Sequence, residues 1–287
     1  LYTVNMADRR IYAIPTTGAL NASTIMSYAI PTVGIPTMSK TGAWTTCPIT
    51  DVRPFGLGVD AAGVLHVGAV CSGETNNDGS GASPVTNAAL VNEGAANLRA
   101  YVWSVNLSDP TNATFTMVFS NTLAFSRDTD TNDAYQTVNP WDWNPWQPFT
   151  YFQDAGGNNI YASQPMLSDI VFNGDFMYVG MRDRSADMGM DGYGTSGDVY
   201  VACKTNGALP YVMESTAACN GAGLAAPAGG INHQGQGGGE FFYQDTQGDK
   251  TPNAGNGGLA WIPGGDLLST ATDPLFFSIK TPCGADT

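Results

Sequence analysis

The sequence predicts an all-β fold, and within that class a β-propeller of irregular blades with long polar loop insertions. Three observations point there. Strand-like segments are short and bounded by Gly, Pro, Asn and Asp; no segment offers a three-turn amphipathic helix; and one hairpin pattern occurs twice. Pro54-Phe-Gly-Leu-Gly-Val-Asp-Ala-Ala-Gly-Val-Leu-His-Val-Gly68 and Pro165-Met-Leu-Ser-Asp-Ile-Val-Phe-Asn-Gly-Asp-Phe-Met-Tyr-Val-Gly180 are both strand, tight turn and strand ending in Val-Gly. A sandwich would also give short strands joined by turns. The repeated hairpin favours a propeller, in which each blade presents one inner hairpin to a central channel.

The elements follow in chain order. The chain opens without Met on a β-like segment, Leu1 to Val4, which reads as a processed or trimmed chain, and residues 9–14 form a second strand before Pro15. These two make a weaker echo of the hairpin, with Asp8 in the turn. Residues 55–60 and 64–70 flank Ala61-Ala62-Gly63, and residues 99–105 alternate cleanly between apolar and polar. Thr114 to Phe119 follows a turn at Asp109-Pro110. Residues 167–172 and 176–181 flank Asn173-Gly174-Asp175, a strong hairpin signal. Residues 198–203, 240–243, 258–262, 266–270 and 275–279 complete the strands, and 258–270 is a second weak echo. Residues 86–96 have room for one short helix. Polar inserts are expected at 72–97, 126–163, 184–197 and 214–257, of which 221–239 is nearly pure Gly, Ala, Gln and Asn. The domain prediction is one propeller over 1–280, completed by further chain or a neighbouring subunit if its ring is open, with 281–287 as a linker or tail.

Composition narrows the function. Gly and Pro make up 52 of 287 residues and only 13% are charged, so Ser, Thr, Asn, Gly and backbone must cover the surface. The 43% hydrophobic content argues against wholesale disorder. The formal charge is −14, with 25 acids against 11 Lys and Arg, and Glu occurs only at 74, 93, 214 and 240. An acidic chain with no basic tract repels phosphate backbones and anionic membranes. No run of 18 apolar residues is present to cross a membrane as a helix.

Few lysines, many Thr, Asn and Gly, and the low charge favour an extracellular protein, a setting in which Cys47–Cys71 and Cys203–Cys219 are plausible local pairs and Cys283 is left over. Asn21, Asn106 and Asn112 open Asn-x-Ser/Thr sequons, a pattern that chance also produces in a chain this rich in Asn, Ser and Thr.

The catalytic endowment is poor. His66 lies in an alternating strand and reads as structural, and His233 stands in a glycine-rich loop. No nucleophile elbow, phosphate loop or His-based metal spacing occurs. The candidate channel network is Arg53, Asp169, Arg182, Asp183 and Arg184, which flank the repeated hairpins. Its plainer role is to tie neighbouring blades, and its alternative is a ligand or catalytic site. Asp128, Asp130, Asn132 and Asp133 place oxygens as a calcium loop would, although no full EF-hand pattern is present and solvated turns are the plainer reading. Trp141, Trp143, Trp146, Phe149 and Tyr151 stand in a Pro-rich stretch that either packs as a lid or offers an aromatic surface to a carbohydrate or protein partner.

Four stretches carry a resemblance. They are Asp51 to Val59 with Val67 to Glu74, Gln164 to Ile170 with Val179 to Arg184, Asn97 to Val102, and Gly257 to Gly264. Together they resemble the N-terminal β-propeller-like region of large secreted bacterial surface proteins, of the kind followed by SdrD B-like or other Ig-like repeats. That resemblance implies cell-surface or matrix association and no established activity. The chain departs from it by lacking the repeats and the last propeller strands. The expected function is a non-enzymatic structural or adhesive module that contacts copies of itself or other surface proteins. A carbohydrate-binding propeller and a glycan hydrolase or lyase using channel aspartates are the alternatives.

Overall fold

A computed structural model describes residues 1–18, 20–38, 44–76, 98–109, 111–123, 143–148, 151–153, 159–189, 197–213, 255–262 and 265–271. Every regular element among them is a strand or a short 3-10 turn. The first sheet is an antiparallel meander of β1 (Tyr2–Asn5), β2 (Arg10–Ala13) and β3 (Met26–Ala29). A small hairpin of β4 (Pro36–Met38) and β5 (Trp44–Thr46) follows. The second sheet is a four-stranded meander of β6 (Val52–Val59), β7 (Leu65–Cys71), β8 (Arg99–Asn106) and β9 (Thr114–Thr122). After the hairpin of β10 (Tyr151–Gln153) and β11 (Asn159–Tyr161) comes what is termed the third sheet, again a four-stranded meander. Its strands are β12 (Pro165–Asn173), β13 (Phe176–Asp183), β14 (Asp198–Thr205) and β15 (Ala208–Met213). β16 (Gly255–Trp261) and β17 (Leu267–Ala271) form the last hairpin.

The all-β expectation is met, and both repeated hairpins occupy the same place. β6–β7 and β12–β13 are the first two strands of a four-stranded meander. Each first strand carries a bulge, between Pro54 and Leu57 in β6 and between Leu167 and Asp169 in β12. Each bulge lies beside the glycine of the Val-Gly pair, Gly68 or Gly180. The weaker echoes at 2–14 and 258–270 are also antiparallel hairpins. Segments 86–96, 240–243 and 275–279 lie outside the described residues. β3, β4, β5, β10, β11 and β15 are additional to the sequence reading, and β16 starts inside the insert expected at 214–257.

The sheets stack face to face. All seven residues of β7 are buried, because the second sheet is covered on both faces. On one face Val67, Ala69, Tyr101 and Trp103 pack with Ile11 and Tyr28 of the first sheet. On the other, Val70, Val102 and Val118 pack with Leu167, Ile170 and Val179 of the third. The far face of the third sheet places Tyr178, Val199 and Val201 against Leu267, with Tyr178 stacked on Trp261 at 5.4 Å. β1 contacts β6, β6 contacts β12 and β12 contacts β16, so the first strands form a row. None of the sheets closes on itself among the described residues.

Glycine permits this spacing. A Cβ on Gly68 would overlap Leu167, and a Cβ on Gly180 would overlap the Gly257 carbonyl. Gly180→Ala is expected to lower stability by about 1–3 kcal/mol, as overpacking does. Gly63 is a control: it faces open space at φ 79°, so Gly63→Ala bears only the left-handed backbone cost of about 1 kcal/mol. Urea midpoints of the two variants separate the packing contribution from the backbone contribution.

Candidate functional site

The open ends of β6–β7 and β12–β13 meet beneath residues 143–148, and most of the candidate channel network gathers there. Trp146 anchors the segment. Its backbone N–H donates to Ser72 O at 3.0 Å and its indole N–H to Pro165 O at 2.7 Å. One guanidinium lies over the ring from each hairpin, Arg53 at 5.4 Å and Arg184 at 4.6 Å from the centroid. A cation over an indole face is held by the ring quadrupole, most strongly where water is excluded.

Each partner is itself bonded. Arg53 forms an ion pair with Glu74. Arg184 donates to Gln147 O at 3.0 Å and to Gln164 Oε1 at 2.7 Å, and the same Gln164 oxygen accepts from Gln147 N. Asp183 Oδ1 accepts from the backbone N–H groups of Gln164 and Ser185, both at 2.9 Å. Burial pulls the Arg184 pKa down, and Glu74 is the main charge opposing that shift. Asp51 is fully buried nearby and accepts from Thr75 N and Thr75 Oγ1. Burial raises its pKa despite those bonds. With two cations, Arg53 and Arg184, set against Glu74 and Asp183, the cluster is balanced in charge and joins two sheets to one crossing segment.

The other two members of the predicted network lie apart. Asp169 sits at the bulge of β12, where Oδ2 accepts from Leu259 N and Oδ1 from Ile170 N, both at 2.8 Å. It therefore clasps β12 to β16, helped by Ser168 Oγ, which donates to Gly257 O at 2.8 Å. Burial raises the Asp169 pKa. Arg182 makes a two-pronged contact with Asp187 at 3.0 and 2.8 Å on the surface. Arg53, Asp183 and Arg184 thus share one cluster, whereas Asp169 and Arg182 do not join it.

The aromatic stretch requires a correction. Trp143 and Trp146 are only 1% and 5% exposed, so they are core residues and not an open surface. Trp143 donates its indole N–H to Tyr200 OH at 2.7 Å, which satisfies its polar atom inside the core. Trp141 and Phe149, and the side chain of Tyr151, lie outside the described residues. So do Asp128, Asp130, Asn132 and Asp133, the candidate calcium loop. Among the described residues no group of three or more His, Cys, Asp or Glu is placed to hold a metal.

Cys47 and Cys71 are joined in a disulfide, as the sequence suggested. Cys203 is also disulfide-bonded, and Cys219, its suggested partner, lies outside the described residues. His66 is buried between the second and third sheets, with Nε2 3.2 Å from Asp60 Oδ2 and its ring 4.4 Å from that of Phe172. Glu74, Gln147, Gln164 and Asp51 were not singled out as site residues. Gln164 carried a signal, because it precedes Pro165 as Arg53 precedes Pro54 in the repeated hairpin.

No protein-family model matches the chain. A curated protein, Colossin-A of Dictyostelium discoideum, is 29% identical over 170 residues. The match covers 57% of this chain and 1% of Colossin-A, so the chain spans only a very small part of that relative.

Two outcomes follow from the cluster and from His66. Arg184→Ala is expected to cost about 2 kcal/mol, the range for lost hydrogen bonds to a charged group, read as a lower urea midpoint. Burial holds the His66 pKa below its ordinary 6.5, so the folded chain binds fewer protons than the unfolded one between the two values. The stability contribution of a neutral His66 is full above pH 6.5 and is lost as pH falls through that value toward the folded pKa. Urea midpoints at neutral and mildly acid pH are expected to fall less for His66→Gln than for the unsubstituted chain.

Proposed function

We propose that this chain is an extracellular, non-enzymatic β-propeller module whose work is structural or adhesive. One observation carries the reading: the described residues of the candidate channel network are engaged in holding the protein together. Arg53 and Arg184 clamp Trp146, Asp183 accepts backbone N–H groups, and Asp169 clasps β12 to β16. A hydrolase needs carboxyl groups open to substrate, and both oxygens of Asp169 already accept backbone hydrogen bonds.

The propeller reading is supported by the row of first strands and by the matching bulge and glycine in two successive meanders. Stacked sheets with repeated inner hairpins are the architecture in which each blade covers the next. The Cys47–Cys71 disulfide supports an oxidising compartment. The small share of Colossin-A that is matched is in keeping with a module of that kind.

Beads coated with the protein test the reading. They are expected to cluster with one another or to adhere to the cells that make the protein, and to leave a panel of polysaccharides intact. Release of reducing ends from any polysaccharide, lost on Asp169→Asn, would overturn the non-enzymatic reading.

A further inference from the structure

We propose that Asn21, Asn106 and Asn112 are acceptors for N-linked oligosaccharides, displayed at one corner of the molecule where the first and second sheets meet. The inference rests on the extracellular reading, because the donor enzyme works in a secretory compartment. Chance can supply the sequons, but it does not dictate their placement. All three Asn residues are exposed, and so are the hydroxyl residues that complete the motifs, Ser23, Ser108 and Thr114.

Two of the sites belong to one hairpin. Asn106 ends β8 and is the register partner of Thr114, the first residue of β9. Alternation then sorts each motif. Leu107 and Ala113, the middle residues, pack against the core beneath, while Asn106, Ser108, Asn112 and Thr114 are exposed. The turn is held by its own side chains: Asn106 Oδ1 accepts from Ser108 N at 2.9 Å and Asp109 Oδ1 from Thr111 N at 2.8 Å. Asn21 stands in the connection leading to β3, where its Oδ1 accepts from Ser23 N at 3.0 Å. Leu107 and Ala113 pack against the apolar cluster that holds Tyr28 of β3, which places the β8–β9 turn beside the first sheet.

The chemistry is a group transfer. The donor is an oligosaccharide linked through pyrophosphate to a membrane lipid. A bond forms between Asn Nδ2 and the anomeric carbon of the first sugar. The bond from that carbon to the pyrophosphate oxygen breaks, the lipid pyrophosphate leaves, and one Nδ2 proton is released. The exposed corner offers these amides without opening any core contact. Sugars there would cover the β8–β9 tip and the approach to β3, leaving the opposite ends of the sheets for protein contacts.

The test uses the full protein from its native cells. Cell medium and cytosol are separated, the chain is treated with a glycan-removing amidase, and peptides are mapped by mass. The expected result is chain in the medium that loses three glycans, leaving Asp at positions 21, 106 and 112. Ser108→Ala, which keeps Asn106 and its turn bond, is expected to lose one glycan without change in the thermal melt. Thr114→Ala should lose the glycan at Asn112 alone. Chain recovered from the medium with unmodified Asn at all three positions would overturn the inference and leave the extracellular reading intact. Chain confined to the cytosol would overturn both.

Discussion

The structure depends on how closely the backbones of neighbouring sheets approach one another. At Gly58 a Cβ would overlap Ile170 O, and at Gly197 it would overlap Gly255 O. Sheets packed through side chains alone lie about 10 Å apart. Here the first strands come nearer than that, and hydrogen bonds cross the seam: Leu259 N to Asp169 and Ser168 Oγ to Gly257 O. Larger residues, such as Trp143 and Tyr200, fill the core between the second and third sheets.

The polar cluster follows from the same geometry. Strands that meet at glycine seams bring the ends of their hairpins together, where backbone donors and acceptors must still be satisfied. Asp183 and Asp51 accept backbone N–H groups that no sheet ladder reaches, and Ser72 O accepts from Trp146 N. The two arginines are set against Glu74 and Asp183, and both lie over the ring of Trp146. Taking one partner away would leave a buried charge unmatched, which is more costly than the pair is stabilising. Residues of types common in active sites are therefore gathered here because strand ends converge.

Much of this was legible in the sequence, and the parts that were not have physical reasons. The repeated hairpins were readable because turn chemistry and alternation agreed, and the glycine of each Val-Gly pair proved to mark the seam. β15 was missed although Asn206-Gly207 signals a two-residue turn, with φ 53° and 74°. The segment after it contains Pro210, and its first three residues are exposed, so it does not read as a strand. β4 and β5 span three residues each, too few for alternation to register. The fate of Trp143 and Trp146 could not be read locally, since a Pro-rich aromatic run looks the same packed or exposed. What decided it was the pair of distant acceptors, Tyr200 OH and Pro165 O, that meet the two indole N–H groups.

Charge constrains how such a module could meet a partner. Among the described residues every Arg and Lys has a partner within the chain. Arg9 donates to Val52 O, Arg10 to Ser27, and Arg99 to Ser120 Oγ, while Lys204 stands 3.8 Å from Asp175. The same is true of Arg53, Arg182 and Arg184. Over the whole sequence the formal charge is −14, so acids are in excess while the described cations are already partnered. Two copies approaching in dilute salt would repel, whereas at physiological ionic strength the screening length is about 8 Å, and contacts closer than that are free to form. A partner carrying cations would instead be drawn in over a longer range, with an on-rate that falls as salt rises. Any contact between copies would therefore rest on short-range bonding of neutral groups, of the kind that Ser, Thr, Asn and backbone supply.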